Sequence, residues 1–169
     1  MICWLFLAVV AEIVIGNYGV VAPVVGIAVF YFATVAGWPR ALVPSLAAGA
    51  LVDLALGRRL PVAVTVAALL VLMARFWVRH GTLRRFRAQS LPGGAVGAVA
   101  GTVQVVLASL IEESGGLGLL WHNARLVAGS TLAGVAGLPL ACWLLDRMAG
   151  RMAIPLYRRG RPGDEHHGR

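Results

Sequence analysis

Long apolar runs separated by short polar breakers dominate the chain. The runs cover residues 1–16, 18–36, 41–57, 61–78, 93–111 and 124–146. Between them stand Gly16-Asn17, Gly37-Trp38-Pro39-Arg40, Gly57-Arg58-Arg59-Leu60-Pro61, a basic stretch from Arg79 to Pro92, and the stretch Glu112 to Asn123. A bilayer core of about 30 Å needs roughly 20 residues of helix. The pattern therefore predicts an all-α protein, a polytopic membrane helix bundle with about six transmembrane helices. The third run, at about 1.5 Å per residue, reaches only roughly 25 Å, and Pro44 falls in its first turn. It fits either a full span or a re-entrant element. Pro23 in the second run and Pro139 in the sixth predict kinks, because proline removes a backbone donor. Beyond Arg147 the chain becomes polar. Residues 1–147 are thus expected to form the transmembrane domain, and 148–169 a basic tail that is disordered at its end.

Within the runs, small residues recur every fourth position, which places them on one helix face. Gly93, Gly97 and Gly101 form one stripe, Gly129, Ala133 and Gly137 a second, and Ala8, Glu12 and Gly16 a third. Ser45, Gly49, Asp53 and Gly57 form a fourth. Such faces let helix backbones approach closely and read as helix-packing surfaces. Gln104, Ser109, Ser130 and Thr131 are candidates for interhelical hydrogen bonds.

Two stripes carry a carboxylate. An ionised acid at the bilayer centre costs roughly 2.5–3.5 kcal/mol on insertion scales, so Glu12 and Asp53 must face protein, water or a partner. Asn17, Arg59 and Arg125 fall at the same ends of their runs, together with Arg58 and His122. A polar cluster of Glu12, Asn17, Arg59 and Arg125 follows as an expectation, with Arg125 or Arg59 as the counter-ion of Asp53, since a buried acid needs a paired donor. The cluster fits a structural ion pair, a small-ligand pocket, a cation path or a partner contact.

Composition agrees with the pattern. The 169 residues are 59% hydrophobic and 13% charged, against about 25% charged in soluble domains. All 15 basic residues are arginine, and the net charge is +8. That charge does not indicate nucleic acid, because the arginines gather at run ends. With six spans and the N-terminus inside, eleven arginines (40, 79, 84, 85, 87, 147, 151, 158, 159, 161 and 169) lie on the cytoplasmic side and three (58, 59 and 125) lie opposite. The positive-inside rule then selects an N-in/C-in orientation, with anionic lipid at the cytoplasmic face. Trp4, Trp38, Trp77, Trp121 and Trp143 sit near run ends, as in an interfacial aromatic belt. Asp146 beside Arg147 reads as an interfacial charge pair. Cys3 and Cys142 cannot build a disulfide framework. The N-terminus has no basic leader region and reads as a retained first helix.

Catalytic patterns are missing from the sequence. It contains no Gly-Lys-Ser/Thr phosphate loop, no His-Glu-x-x-His and no Gly-x-Ser-x-Gly elbow. His166-His167 in the tail lacks a defined metal geometry. The expectation is a nonenzymatic protein with no catalytic residue, metal or cofactor.

The run Gly49-Ala-Leu-Val-Asp53-Leu-Ala-Leu-Gly57 resembles the Gly-Leu-x-x-Asp-x-x-x-Gly signature of MreD, the rod shape-determining membrane protein family. Ser130-Thr-Leu followed by Leu138-Pro-Leu-Ala-Cys-Trp-Leu-Leu-Asp-Arg147 is similar to that family's closing helix and basic tail. Length and span number fit over nearly the whole chain, while Pro61 stands where the family often has glycine. The resemblance implies a noncatalytic scaffold of the bacterial inner membrane. Such a scaffold pairs with MreC and connects cell-wall elongation, including RodA and a class B penicillin-binding transpeptidase, to MreB filaments. Gly49, Asp53 and Gly57 are the positions it carries over. The family is related in fold to the substrate-binding subunits of energy-coupling-factor vitamin transporters, so a substrate-capture subunit is the alternative. The Ala-x-x-x-Ala coupling motif expected in the first helix of those subunits is absent, as Ala8 and Ala11 are three apart.

Overall fold

The computed structural model describes residues 2–18, 22–80, 86–110 and 117–149. They form six helices: α1 (Ile2–Asn17), α2 (Val24–Val35), α3 (Trp38–Ala55), α4 (Val62–His80), α5 (Phe86–Ser109) and α6 (Leu117–Ala149). The fold is an all-α bundle, with no strand among the described residues. Three helices are long and apolar enough to cross a membrane, through Val62–Arg79, Gln89–Ser109 and Trp121–Met148. The chain is therefore of the membrane-protein class.

α2 is the centre of the bundle and touches all five other helices. Its 12 residues are apolar all round, and every residue from Val25 to Ala33 is buried. A helix hydrophobic on all sides must be buried on all sides or lie in lipid. At roughly 18 Å, α2 is too short to cross a 30 Å core. The second run thus supplies a central helix shorter than the expected span, and Pro23 precedes it as the N-cap and does not kink it. Proline is compatible with that place, where the backbone donor is unsatisfied anyway.

α5 and α6 make the most extensive helix pair, followed by α3 and α4. α5 starts at Phe86, so the second half of the basic stretch is helical and Pro92 lies inside the helix. α6 runs through Pro139 as one helix of 33 residues, extending the sixth run at both ends. α3 likewise contains Pro44 and has 18 residues. The core joins Leu5 and Val9 of α1, Phe30 of α2, Val52 of α3, Leu70 and Val71 of α4, Val96 of α5 and Leu138 of α6. Trp4 and Trp77 pack partly against that core, whereas Trp38, Trp121 and Trp143 are exposed. The guanidinium of Arg75 lies 4.9 Å from the ring centre of Trp38, and that of Arg147 lies 5.4 Å from Trp143. Arg84, Arg85, the Glu112-Glu113 pair and the tail from Gly150, with His166-His167, lie outside the described residues.

Candidate functional site: two acids that cap the helices after them

Asp53 lies two residues before the end of α3 and is 6% exposed. Its carboxylate reaches the start of α4. Oδ1 accepts the Ala63 backbone N–H at 2.9 Å and Oδ2 accepts that of Val64 at 3.1 Å. The first N–H groups of a helix have no partner within it and carry its partial positive charge. An N-cap side chain normally accepts them. Here Pro61 precedes the helix and offers no side-chain acceptor, so Asp53 takes that role from the neighbouring helix.

The two glycines flanking Asp53 make this possible. A Cβ on Gly49 would stand 2.7 Å from the Ala63 carbonyl oxygen and 2.9 Å from the Val64 Cα. Only glycine lets α3 approach the first turn of α4 so closely. Gly57 ends α3 at a φ of +60°. Its N–H donates to the Leu54 carbonyl at 3.2 Å, and the Arg58 N–H donates to the Asp53 carbonyl at 2.9 Å. This pair of bonds is a Schellman cap, which needs a left-handed residue at that position. The turn brings Arg58 back over Asp53, with Nη1 at 3.4 Å from Oδ1. That is long for a charge-assisted bond, typically about 2.7–2.9 Å. The backbone amides are the closer partners. Gly49, Asp53 and Gly57 therefore act together to close the α3–α4 hairpin.

Glu12 of α1 repeats the arrangement. Its Oε2 accepts the Val25 N–H in the first turn of α2 at 2.7 Å. The N-cap there is Pro23, without a side-chain bond. Each acid thus caps the helix that follows its own, and each capped helix is preceded by a proline.

Glu12 and Arg58 line a common cavity of about 250 Å³, with Gln104 of α5 on its wall. Gly16, Pro23, Leu56, Val66 and Ala100 supply apolar surface. The cavity lies where α1 and α3 end and α2 and α4 begin, at the opposite end of α4 from Arg75 and Arg79. It corrects the polar cluster expected from the sequence. Asn17, Arg59 and Arg125 are not among its lining residues; Asn17, Arg59 and Arg125 are exposed. The ion-pair partner of Asp53 is Arg58, in place of Arg59 or Arg125. A sequence search for side-chain counter-ions overlooks backbone donors, which carry no residue signature. The Gly57-Arg58 step was the available clue, since a Schellman turn folds the next residue back over the helix end.

The glycine stripe of α5 packs as its spacing implies. Built Cβ atoms on Gly93 and Gly97 would collide with the backbones of Gly134 and Ser130, and one on Gly101 would stand 2.9 Å from the Val127 Cα. Ser130 Oγ donates to the Gly97 carbonyl at 2.8 Å across this contact. On α6, however, the facing stripe is Ser130, Gly134 and Leu138. Gly129 has nothing within 4 Å of a built Cβ, and Gly137 meets Ile27 of α2. The expected face of Gly129, Ala133 and Gly137 is one residue out of phase with α5. Ser109 and Thr131 donate to carbonyls of their own helices, at Val106 and Val127. Asp146 accepts the Tyr31 hydroxyl at 2.8 Å, joining α6 to the central helix. Cys3 is exposed and Cys142 buried, and no disulfide joins them. Among the described residues there is no group of three His, Cys, Asp or Glu side chains placed to hold a metal ion.

These features define a helical membrane protein in which an acid of α1 and an acid of α3 each fasten the helix that follows. Comparison with protein-family models, with curated proteins and with solved structures finds no match to this chain.

Proposed function

We propose that the chain is a noncatalytic, multi-pass scaffold of the bacterial cytoplasmic membrane. In this reading it serves the cell-wall elongation machinery and pairs with MreC. RodA, a class B penicillin-binding transpeptidase and MreB are the further partners. Both termini lie in the cytoplasm, where the exposed Arg40, Arg75 and Arg79 meet anionic lipid.

The observation that carries the reading is the MreD-like motif on α3. Gly49, Asp53 and Gly57 are engaged in one structural closure, with the acid committed to the Ala63 and Val64 amides. An acid held in this way is a fastening for a rigid bundle, which suits a scaffold better than a proton-transfer group. The test is copurification with MreC after mild solubilisation. Retention of MreC at a fixed ratio is the expected result. Loss of every cell-wall partner under conditions that keep the bundle folded overturns the proposal.

The cavity beside Glu12 favours a second reading, capture of a small molecule at the outer end of the bundle. A pocket with a few convergent polar groups and apolar walls is the usual form of a ligand site.

A further inference from the structure

The cavity's two charged groups are of opposite sign, and each has bonding capacity left over. Glu12 Oε2 is engaged by Val25, and among the described residues the Glu12 carboxylate forms no ion pair. Arg58 approaches Asp53 through Nη1 at 3.4 Å, and a guanidinium has five N–H donors in all. Asp53 itself is already satisfied by the two α4 amides, so Arg58 keeps donors for a second acceptor. Gln104 adds an amide that both donates and accepts. The remaining walls are aliphatic, with Leu56, Val66 and Ala100 among them. At about 250 Å³ the space lies below the roughly 300–1,000 Å³ of sites for drug-sized ligands. It suits a metabolite of few heavy atoms.

We propose that this cavity binds a small zwitterion with an aliphatic body, of the α-amino-acid class. The ligand's ammonium group sits against Glu12, its carboxylate against Arg58, and its side chain on the aliphatic wall. A carboxylate facing a guanidinium gains the directional, charge-assisted bonds that arginine forms best. Glu12 gains an ion pair, which it lacks among the described residues. The two opposed charges also discriminate, because a ligand with only one of them leaves the other protein group unpaired in a partly buried site. This inference rests on the small-molecule reading of the cavity and not on the scaffold reading.

The test uses the purified full chain in nanodiscs. It is incubated with an equimolar mixture of glycine, alanine, valine, leucine and isoleucine together with their decarboxylated amines and deaminated acids. Retained molecules are identified by mass spectrometry, and the best is titrated by equilibrium dialysis. The expected result is saturable retention of at least one amino acid at one site per chain, at least tenfold tighter than its amine or acid analogue. Glu12→Gln keeps an oxygen for Val25 and removes the charge; it should weaken binding at least tenfold while circular dichroism stays unchanged. Arg58→Gln should do the same, and Ala100→Phe should abolish binding by filling the space. Retention of no compound overturns the small-molecule reading as a whole. An amine or acid binding as tightly as its amino acid, or binding insensitive to both charge substitutions, overturns the zwitterion assignment alone. MreC copurification is scored separately, so the scaffold reading stands or falls independently.

Discussion

The Asp53 carboxylate and the Ala63 amide lie ten residues apart in the chain and 2.9 Å apart in space. That contact makes Asp53 a helix cap provided by a neighbouring helix, and it sets the cost of removing the acid. Asp53→Leu leaves without an acceptor the Ala63 donor, which is buried, and the Val64 donor, which is part-buried. Each unsatisfied donor costs about 1–3 kcal/mol, so a loss of about 2–6 kcal/mol is expected for the two. Asp53→Asn retains one acceptor oxygen and should lose only about 1–2 kcal/mol. Unfolding by SDS titration in mixed micelles, followed by circular dichroism, measures both. Equal losses for the two variants would show that charge, and not the cap, is what matters.

Gly57 gives a cleaner test of backbone strain. A Cβ at this position meets nothing within 4 Å, while φ is +60°. Gly57→Ala therefore adds no clash and changes only the conformational preference. A left-handed residue other than glycine costs roughly 1–2 kcal/mol. The same SDS titration should register a destabilisation of about 1 kcal/mol, and Gly57→Asn, which tolerates the left-handed region better, should recover part of it.

The sequence announces Asp53 clearly, as a charge in an apolar helix flanked by glycines at four-residue spacing. Its partners were not legible, because two of them are backbone N–H groups that every helix start possesses. Pro23 and Pro61 mark those starts, and their lack of side-chain acceptors is the trace left in the sequence. The position of α2 was hidden for a different reason. An apolar helix surface has the same composition whether it faces lipid or other helices, so its central place depends on packing alone. On α6 the four-residue spacing occurs in two adjacent registers. Only Ser130, a polar residue that must find an acceptor when buried, distinguishes the packed register from that of Gly129.

Arg58 and Arg59 are neighbours in sequence and differ in role. Arg58 lies over Asp53 with its side chain 25% exposed, while Arg59 and Arg125 are exposed. Arg58→Gln should therefore destabilise the bundle by about 1 kcal/mol, the upper range for partly exposed ion pairs. Arg59→Gln and Arg125→Gln should stay within about 0.5 kcal/mol of the parent, as surface substitutions do. Comparing the three by SDS titration decides the counter-ion of Asp53. An effect confined to Arg125→Gln would restore the pairing expected from the sequence.

The α5–α6 contact depends on glycine for space more than on its hydrogen bond. Ser130 Oγ bonds a carbonyl, that of Gly97, at 2.8 Å, and interhelical bonds of this kind average only about 0.6 kcal/mol in membranes. Ser130→Ala should thus be mild. Gly97 is different, because a Cβ there would stand 2.7 Å from the Ser130 carbonyl carbon and 2.8 Å from the Thr131 Cα. These are backbone atoms that cannot rotate aside. Gly97→Ala must push the two helices apart, with a cost of about 1–3 kcal/mol from overpacking, and Gly97→Leu should cost more. Gly129→Leu, at a position where a Cβ meets nothing within 4 Å, should have little effect on stability. The measurement is the SDS midpoint of each variant. A Gly129→Leu loss as large as that of Gly97→Leu would place the packed face of α6 on the other stripe.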